Sequence, residues 1–131
     1  MESYPIIVLH KGSSDYLKIC LAQAKFSNPN SRIILLGDET NETLAKQVGA
    51  EHYLICNYFS KAQEFAKIYK HYSTNPYDYE LFCFQRWFVV DEFINSEGLD
   101  KFLHIDSDVL LYADFSKELE FIDFINNYDM I

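Results

Sequence analysis

Apolar residues in this chain fall in short bursts divided by polar, turn-forming stretches. Pro5 to His10 carries Ile6-Ile7-Val8-Leu9, a continuous run that predicts a buried strand. Gly12, Ser13 and Ser14 break it and offer a helix N-cap. Leu17, Cys20, Leu21 and Ala24 follow at helical spacing. Asn28-Pro29-Asn30 marks a turn. A second strand is predicted over Arg32 to Leu36, closed by Gly37-Asp38. Asn41 to Val48 predicts a short helix stopped by Gly49. A third strand is predicted over Glu51 to Cys56.

Ser60 and Gln63 have the spacing of a capping box, with Ala62, Phe65, Ala66 and Tyr69 as the helical stripe behind it. After Asn75-Pro76, Glu80 to Asn95 predicts a long helix ended by Gly98. That helix is apolar almost all round, which predicts burial. Phe102 to Ile105 predicts a fourth strand and Ser116 to Asn126 a last helix. Tyr128-Asp129-Met130-Ile131 reads as the opening of another strand, so the chain is expected to be the N-terminal part of a longer protein.

Non-alternating strands separated by helices predict an α/β fold: a mainly parallel sheet with helices on both faces, in three α/β/α layers. With 131 residues, one domain over residues 1–131 is expected. In such sheets ligands bind beyond the carboxyl ends of the strands. Here those ends are His10 to Ser13, Gly37 to Glu39, Cys56 to Tyr58 and Asp106 to Asp108.

Composition narrows the partners. A net charge of −9 with no basic cluster argues against nucleic acid. Cys20, Cys56 and Cys83 are separated and set among apolar residues, as buried thiols of a reducing compartment are. Without a signal-peptide pattern or a membrane-length apolar run, the cytoplasm is the expected location, and peripheral membrane association stays open.

The candidate chemistry lies in Asp106-Ser107-Asp108. On a strand, residues i and i+2 share a face, roughly 6.6 Å apart along the chain. Two carboxylates placed so at a strand exit can share a divalent cation, and hard oxygen ligands suit manganese or magnesium. A bare D-x-D is common, and solvated loop aspartates are the plain alternative. The apolar strand feeding the motif favours the metal. Arg86, on the buried helix, needs an anionic partner: a ligand phosphate or one of these aspartates. The four histidines show no metal-ligand spacing.

The stretch Phe84-Gln85-Arg86-Trp87, with Asp100-Lys101-Phe102-Leu103-His104-Ile105-Asp106-Ser107-Asp108 after it, resembles the central region of GT-A-fold glycosyltransferases. It is most similar to the glycogenin-like and bacterial galactosyltransferase-like groups. His104 stands where those often have tyrosine. The resemblance implies a nucleotide-sugar donor, UDP-sugar first, and a saccharide or other acceptor. It implies Mn2+ or Mg2+ on Asp106 and Asp108, bridged to the diphosphate. Donor contacts would come from Arg86, Asp106 and Ser107, from His10, Lys11 and Gly12 after the first strand, and from Asp38 after the second. The third metal ligand and catalytic residues of such enzymes have no counterpart here. Three alternatives are weighed. A non-catalytic nucleotide-binding or interaction domain fits that gap. A haloacid-dehalogenase-type phosphatase matches the D-x-D string but carries it after the first strand. A sugar nucleotidyltransferase needs a Gly-rich basic loop, and Lys11-Gly12-Ser13-Ser14 is too slight.

Overall fold

The computed structural model describes residues 3–115 and 117. The expected last helix and the strand-like Tyr128–Ile131 lie outside the described residues. The chain divides into two compact units: residues up to Tyr53 with those from Lys101 onward, and Leu54–Asp100.

The first unit holds the sheet. Its strands are β1 (Ile6–Leu9), β2 (Ile33–Gly37), β3 (Glu51–Leu54) and β4 (Leu103–His104), in the order β3-β2-β1-β4. β1 runs parallel to β2, with Ile6 beside Ile33 and Leu9 beside Leu36. It also runs parallel to β4, with Ile6 beside Leu103 and Ile7 beside His104. The α/β class is therefore as the sequence predicts.

Helix α1 (Asp15–Ser27) connects β1 to β2, and α2 (Glu42–Gln47) connects β2 to β3. The α1 stripe Leu17, Cys20, Leu21 and Ala24 is fully buried, as its spacing demands. It joins Ile6, Val8, Ile33, Leu35 and Ile105 in one core cluster. Each large side chain buried this way contributes about 1.5–3 kcal/mol. Ile7, Ile34 and Leu36, which point to the opposite sheet face, are fully buried too. Burial on both faces is why the strands read as continuous apolar runs.

Asn28, in the predicted turn, does more than turn the chain. It is buried, its Nδ2 donates to the Ala113 carbonyl at 2.9 Å, and its Oδ1 accepts from the Phe115 N–H at 3.0 Å. The hydroxyl of Ser27 and the amide of Gln23 both donate to the Leu111 carbonyl. The segment leaving β4 is thus fastened to the C-terminal half of α1.

The second unit is helical. β3 stops at Leu54 instead of Cys56 because Ile55–Tyr58 winds into a 3₁₀ turn. Helix α3 (Ser60–Ala66) has no side-chain cap. Ser60 is its first residue, and its hydroxyl donates to Glu92 at 2.6 Å, so the expected capping box does not form. Helix α4 (Tyr77–Glu97) starts earlier than expected, with Pro76 as its N-cap residue and Asp78 and Glu80 in its first turn. Nor is it buried all round. Leu81, Val89, Val90 and Phe93 are buried, but Phe84 and Trp87 are about half exposed. Its buried polar residue is Gln85, whose Nε2 donates to the Ala62 carbonyl at 2.9 Å and ties α4 to α3. Phe65 stacks on Phe88 at 5.0 Å beside that bond.

Gly98 ends α4 as predicted, at φ 68°. The Leu99 N–H bonds Ile94 at 2.9 Å and the Gly98 N–H faces Asn95 at 3.4 Å, the paired bonds of a Schellman end. A Cβ on Gly98 would meet nothing within 4 Å, so its substitution is purely a backbone matter. Gly98→Ala should lower stability by about 1–2 kcal/mol in urea unfolding, with an unchanged denaturant slope.

Candidate functional site at the strand ends

β1 has β2 on one side and β4 on the other. The chain leaves β1 through α1 toward β2, while β4 returns from the far side. The gap beyond the carboxyl ends of β1 and β4 is therefore a topological switch point, where open parallel sheets place ligands. Asp106-Ser107-Asp108 lies directly there.

These aspartates do not lie on a strand. β4 has two residues, and its ladder ends when the Ile105 N–H bonds Ile7 at 3.1 Å. Leu9 of β1 stands opposite Asp106 in the continued register, but the pairing stops before it because the chain leaves the sheet. The chain instead turns: the Val109 N–H donates to the Asp106 carbonyl at 3.1 Å. Asp106 and Asp108 are thus the first and third residues of a β-turn, with Ser107 between them. Both carboxylates are exposed. The expected packing of the following loop is partial. Val109 and Leu110 are exposed, and Leu111 alone of the three is buried. Beneath the turn, the Cys20 thiol sits 3.7 Å from the Asp106 carbonyl. Burial, with the Asp108 charge adding to it, pushes that thiol up to about 11, so it stays protonated and unreactive near neutral pH. His104 donates through Nδ1 to the Ile7 carbonyl at 3.0 Å, locking β4 to β1.

Across the gap lies the loop after β1. His10 places Nδ1 2.9 Å from the Ser107 hydroxyl and Nε2 3.3 Å from the Ser14 hydroxyl. Burial lowers its pKa, against the pull of Asp38, so the ring is neutral at pH 7. Gly12 sits at φ 85°, and its N–H donates to Asp38 Oδ2 at 2.8 Å. The other Asp38 oxygen accepts from the Thr40 N–H at 3.0 Å and from the Thr40 hydroxyl. Desolvation pushes the Asp38 carboxyl up. The bonds from Thr40 and Gly12, with the attraction of His10, outweigh it and leave the pKa below the usual value. Lys11 is exposed beside this loop.

The residue that organises the loop is one the sequence reading placed only as the start of a helix. Asn41 is fully buried. Its Nδ2 donates to the carbonyls of His10 at 3.0 Å and Gly12 at 2.8 Å. Its Oδ1 accepts from the Asp38 N–H at 3.1 Å and from His52 Nε2 at 2.9 Å. Carbonyls only accept and an N–H only donates, so these partners fix the amide orientation and make Nε2 the protonated nitrogen of His52. Its own carbonyl accepts the Ala45 N–H at 3.1 Å and opens α2. The signal that could have found it is Gly37-Asp38-x-x-Asn41. A Cβ at Gly37 would overlap the Asn41 amide oxygen and stand 2.8 Å from its Cγ, so glycine leaves the room the amide needs.

The structure thus gathers His10, Gly12, Asp38 and Ser107 into one network, with Asp106 and Asp108 flanking Ser107. Arg86 belongs to the other unit. It is half-buried on α4, and its guanidinium carbon lies 4.8 Å from the centre of the Trp87 ring. The Arg86 Nε is buried within that half-buried side chain. Tyr69 and Tyr77 pack edge to face at 5.6 Å.

As a metal centre the turn is incomplete. Among the described residues no group of three or more His, Cys, Asp or Glu side chains could hold a metal ion. Two exposed carboxylates are chemically suited to a hard divalent cation, whose other positions need water, phosphate or further residues.

Two outcomes follow from the loop network. Asn41→Ala leaves buried carbonyls and N–H groups unpaired and should cost about 2–4 kcal/mol in chemical unfolding. The Asp38 carboxylate has a lowered folded-state pKa, so its stabilisation is complete above the ordinary carboxylate value and is lost as pH falls through the folded one. Wild type should therefore exceed Asp38→Asn in melting temperature at neutral pH, and the difference should close on acidification.

The chain matches no protein-family model, no curated protein and no solved structure.

Proposed function

We propose that this chain binds a nucleotide-diphosphate sugar, with UDP-sugar as the first candidate, together with Mn2+ or Mg2+. In this reading it is the donor-binding part of a GT-A-type, three-layer glycosyltransferase that passes the sugar to a saccharide or other acceptor. The observation that carries the reading is the position of Asp106-Ser107-Asp108. It lies beyond the carboxyl end of β4, at the switch point beside β1, facing the loop of His10 and Gly12.

The residues divide the work as follows. Asp106 and Asp108 would offer hard oxygens to the cation, and the donor diphosphate would be the other anionic group at this edge. The cation, when bound, supplies Lewis-acid stabilisation of the departing nucleoside diphosphate. His10, Lys11 and Gly12 line the nucleotide side. Two Asp38 oxygens already hold the loop, so its contribution to the donor is first of all the shape of that loop. A contact from Arg86 rests on the sequence resemblance alone. A cytoplasmic location belongs to the same reading and accords with three free thiols, of which Cys20 is buried as expected while Cys83 is half-buried and Cys56 exposed. Among the described residues no helix is long and apolar enough to cross a membrane.

Thermal shift tests the reading. Manganese with UDP should raise the melting temperature by roughly 4–8 °C at saturating ligand, beyond manganese alone. Asp108→Ala should abolish the increment. The absence of a shift with every nucleoside diphosphate would remove the donor-site reading, and turnover of an aryl phosphate would favour the dehalogenase-type alternative.

A further inference from the structure

The Asp106–Val109 turn lies past the end of β4, with the Cys20 thiol of α1 beneath it at 3.7 Å from the Asp106 carbonyl. β4 is two residues long, the turn closes on a single backbone bond from Val109 to Asp106, and Asp106, Asp108, Val109 and Leu110 are exposed. Two carboxylates on a turn do not take their spacing from a strand, so the contacts that grip the turn bear on their register for a shared ligand. One side chain reaches the middle of the turn from another element. The imidazole of His10, 97 residues away in sequence, meets the Ser107 hydroxyl at 2.9 Å.

His10 is itself held from several directions. Its backbone carbonyl accepts from Asn41, and its Nε2 meets the Ser14 hydroxyl at the start of α1. The Tyr16 ring stands edge-on to it at 5.5 Å. In a neutral imidazole one nitrogen donates and the other accepts, and each serine hydroxyl can take the complementary role. A side chain fixed at its backbone, its far nitrogen and its ring face is a rigid post, and Ser107 is what it holds.

We propose that His10 is a positioning residue that fixes the Asp106–Val109 turn through Ser107, and so sets the spacing of the two carboxylates for their cation. The mechanical part concerns the turn alone. The consequence for metal rests on the donor-site reading above.

Two substitutions separate the ring nitrogens. Asn places its terminal amide near the position of Nδ1 and retains a partner for Ser107. Gln reaches toward the position of Nε2 and retains a partner for Ser14 only. Hydrogen exchange of the Val109 amide, followed by NMR, reports whether the turn stays closed. His10→Gln should speed that exchange roughly five-fold, the worth of one net hydrogen bond, while His10→Asn stays near wild type. Ser107→Ala, a change in the loop itself that tests the same bond from its other end, should match His10→Gln, and Ser107→Thr should match wild type.

Manganese binding in the presence of UDP, read by the EPR signal of free Mn2+, should follow the same order. Equal Val109 exchange in wild type, His10→Gln and Ser107→Ala would overturn the proposal. Faster exchange in His10→Asn with none in Ser107→Ala would overturn it as well, because the role would not pass through Ser107. Exchange in the predicted order, with no manganese–UDP binding even in wild type, would uphold the positioning role and reject the donor-site reading.

Discussion

The switch-point loop depends on one buried carboxamide. Asn41 joins four pieces of chain: the exit of β1, the exit of β2, the start of α2 and His52 on β3. A carboxamide is suited to this work because it offers two donors and two acceptor sites in one rigid plane. All four are used, so burial leaves none of them unpaired. A carboxylate could not donate to the His10 and Gly12 carbonyls, and a hydroxyl has a single proton to give. The Gly12 carbonyl that Asn41 holds belongs to the residue whose N–H grips Asp38. Asn41 therefore governs where the Asp38 carboxylate rests as well as where the loop runs.

Much of the scaffold is visible in the sequence because it obeys one-dimensional rules. The α1 stripe appears in the spacing of Leu17, Cys20, Leu21 and Ala24, and Gly98 marks the end of α4 through its left-handed backbone. β1 and β2 announce themselves as apolar runs because both of their faces are buried. What stayed hidden shares a single chemistry. Asn28, Asn41 and Gln85 are buried amides, and each bonds to backbone far along the chain. Sequence patterns assign such residues to turns and surfaces, where they usually belong. Their partners exist only once the tertiary fold has brought a distant carbonyl within reach.

The expected geometry of Asp106 and Asp108 failed as well. An apolar run need not continue as strand to its polar end: of Phe102–Ile105 only Leu103–His104 is strand. β4 stops at His104 although β1 still offers Leu9 opposite Asp106, so the local turn, and not the neighbour, ends the strand. The chain turns as soon as the ladder ends, and an Asp-Ser-Asp sequence makes that turn inexpensive. The chemistry of the pair survives, because both carboxylates still emerge at the carboxyl edge of the sheet. The mechanism of their alignment does not: strand pleating would have set it without help, whereas a turn needs outside support.

This changes how the site is best understood. On a strand, two carboxylates inherit their spacing from the sheet, and the loop across the gap is only a lining. On a turn, the spacing becomes a property of whatever grips the turn, and the β1 loop acquires a structural hold on the pair. The chain of dependence then runs in one direction. Gly37 leaves room for Asn41, Asn41 holds the carbonyl of His10, and the His10 ring meets the serine between the two aspartates. Each link is a short contact between groups that are buried or half-buried, so little slack accumulates along it. A sheet that ends early on one side can in this way hand the placing of its most polar residues to the strand beside it.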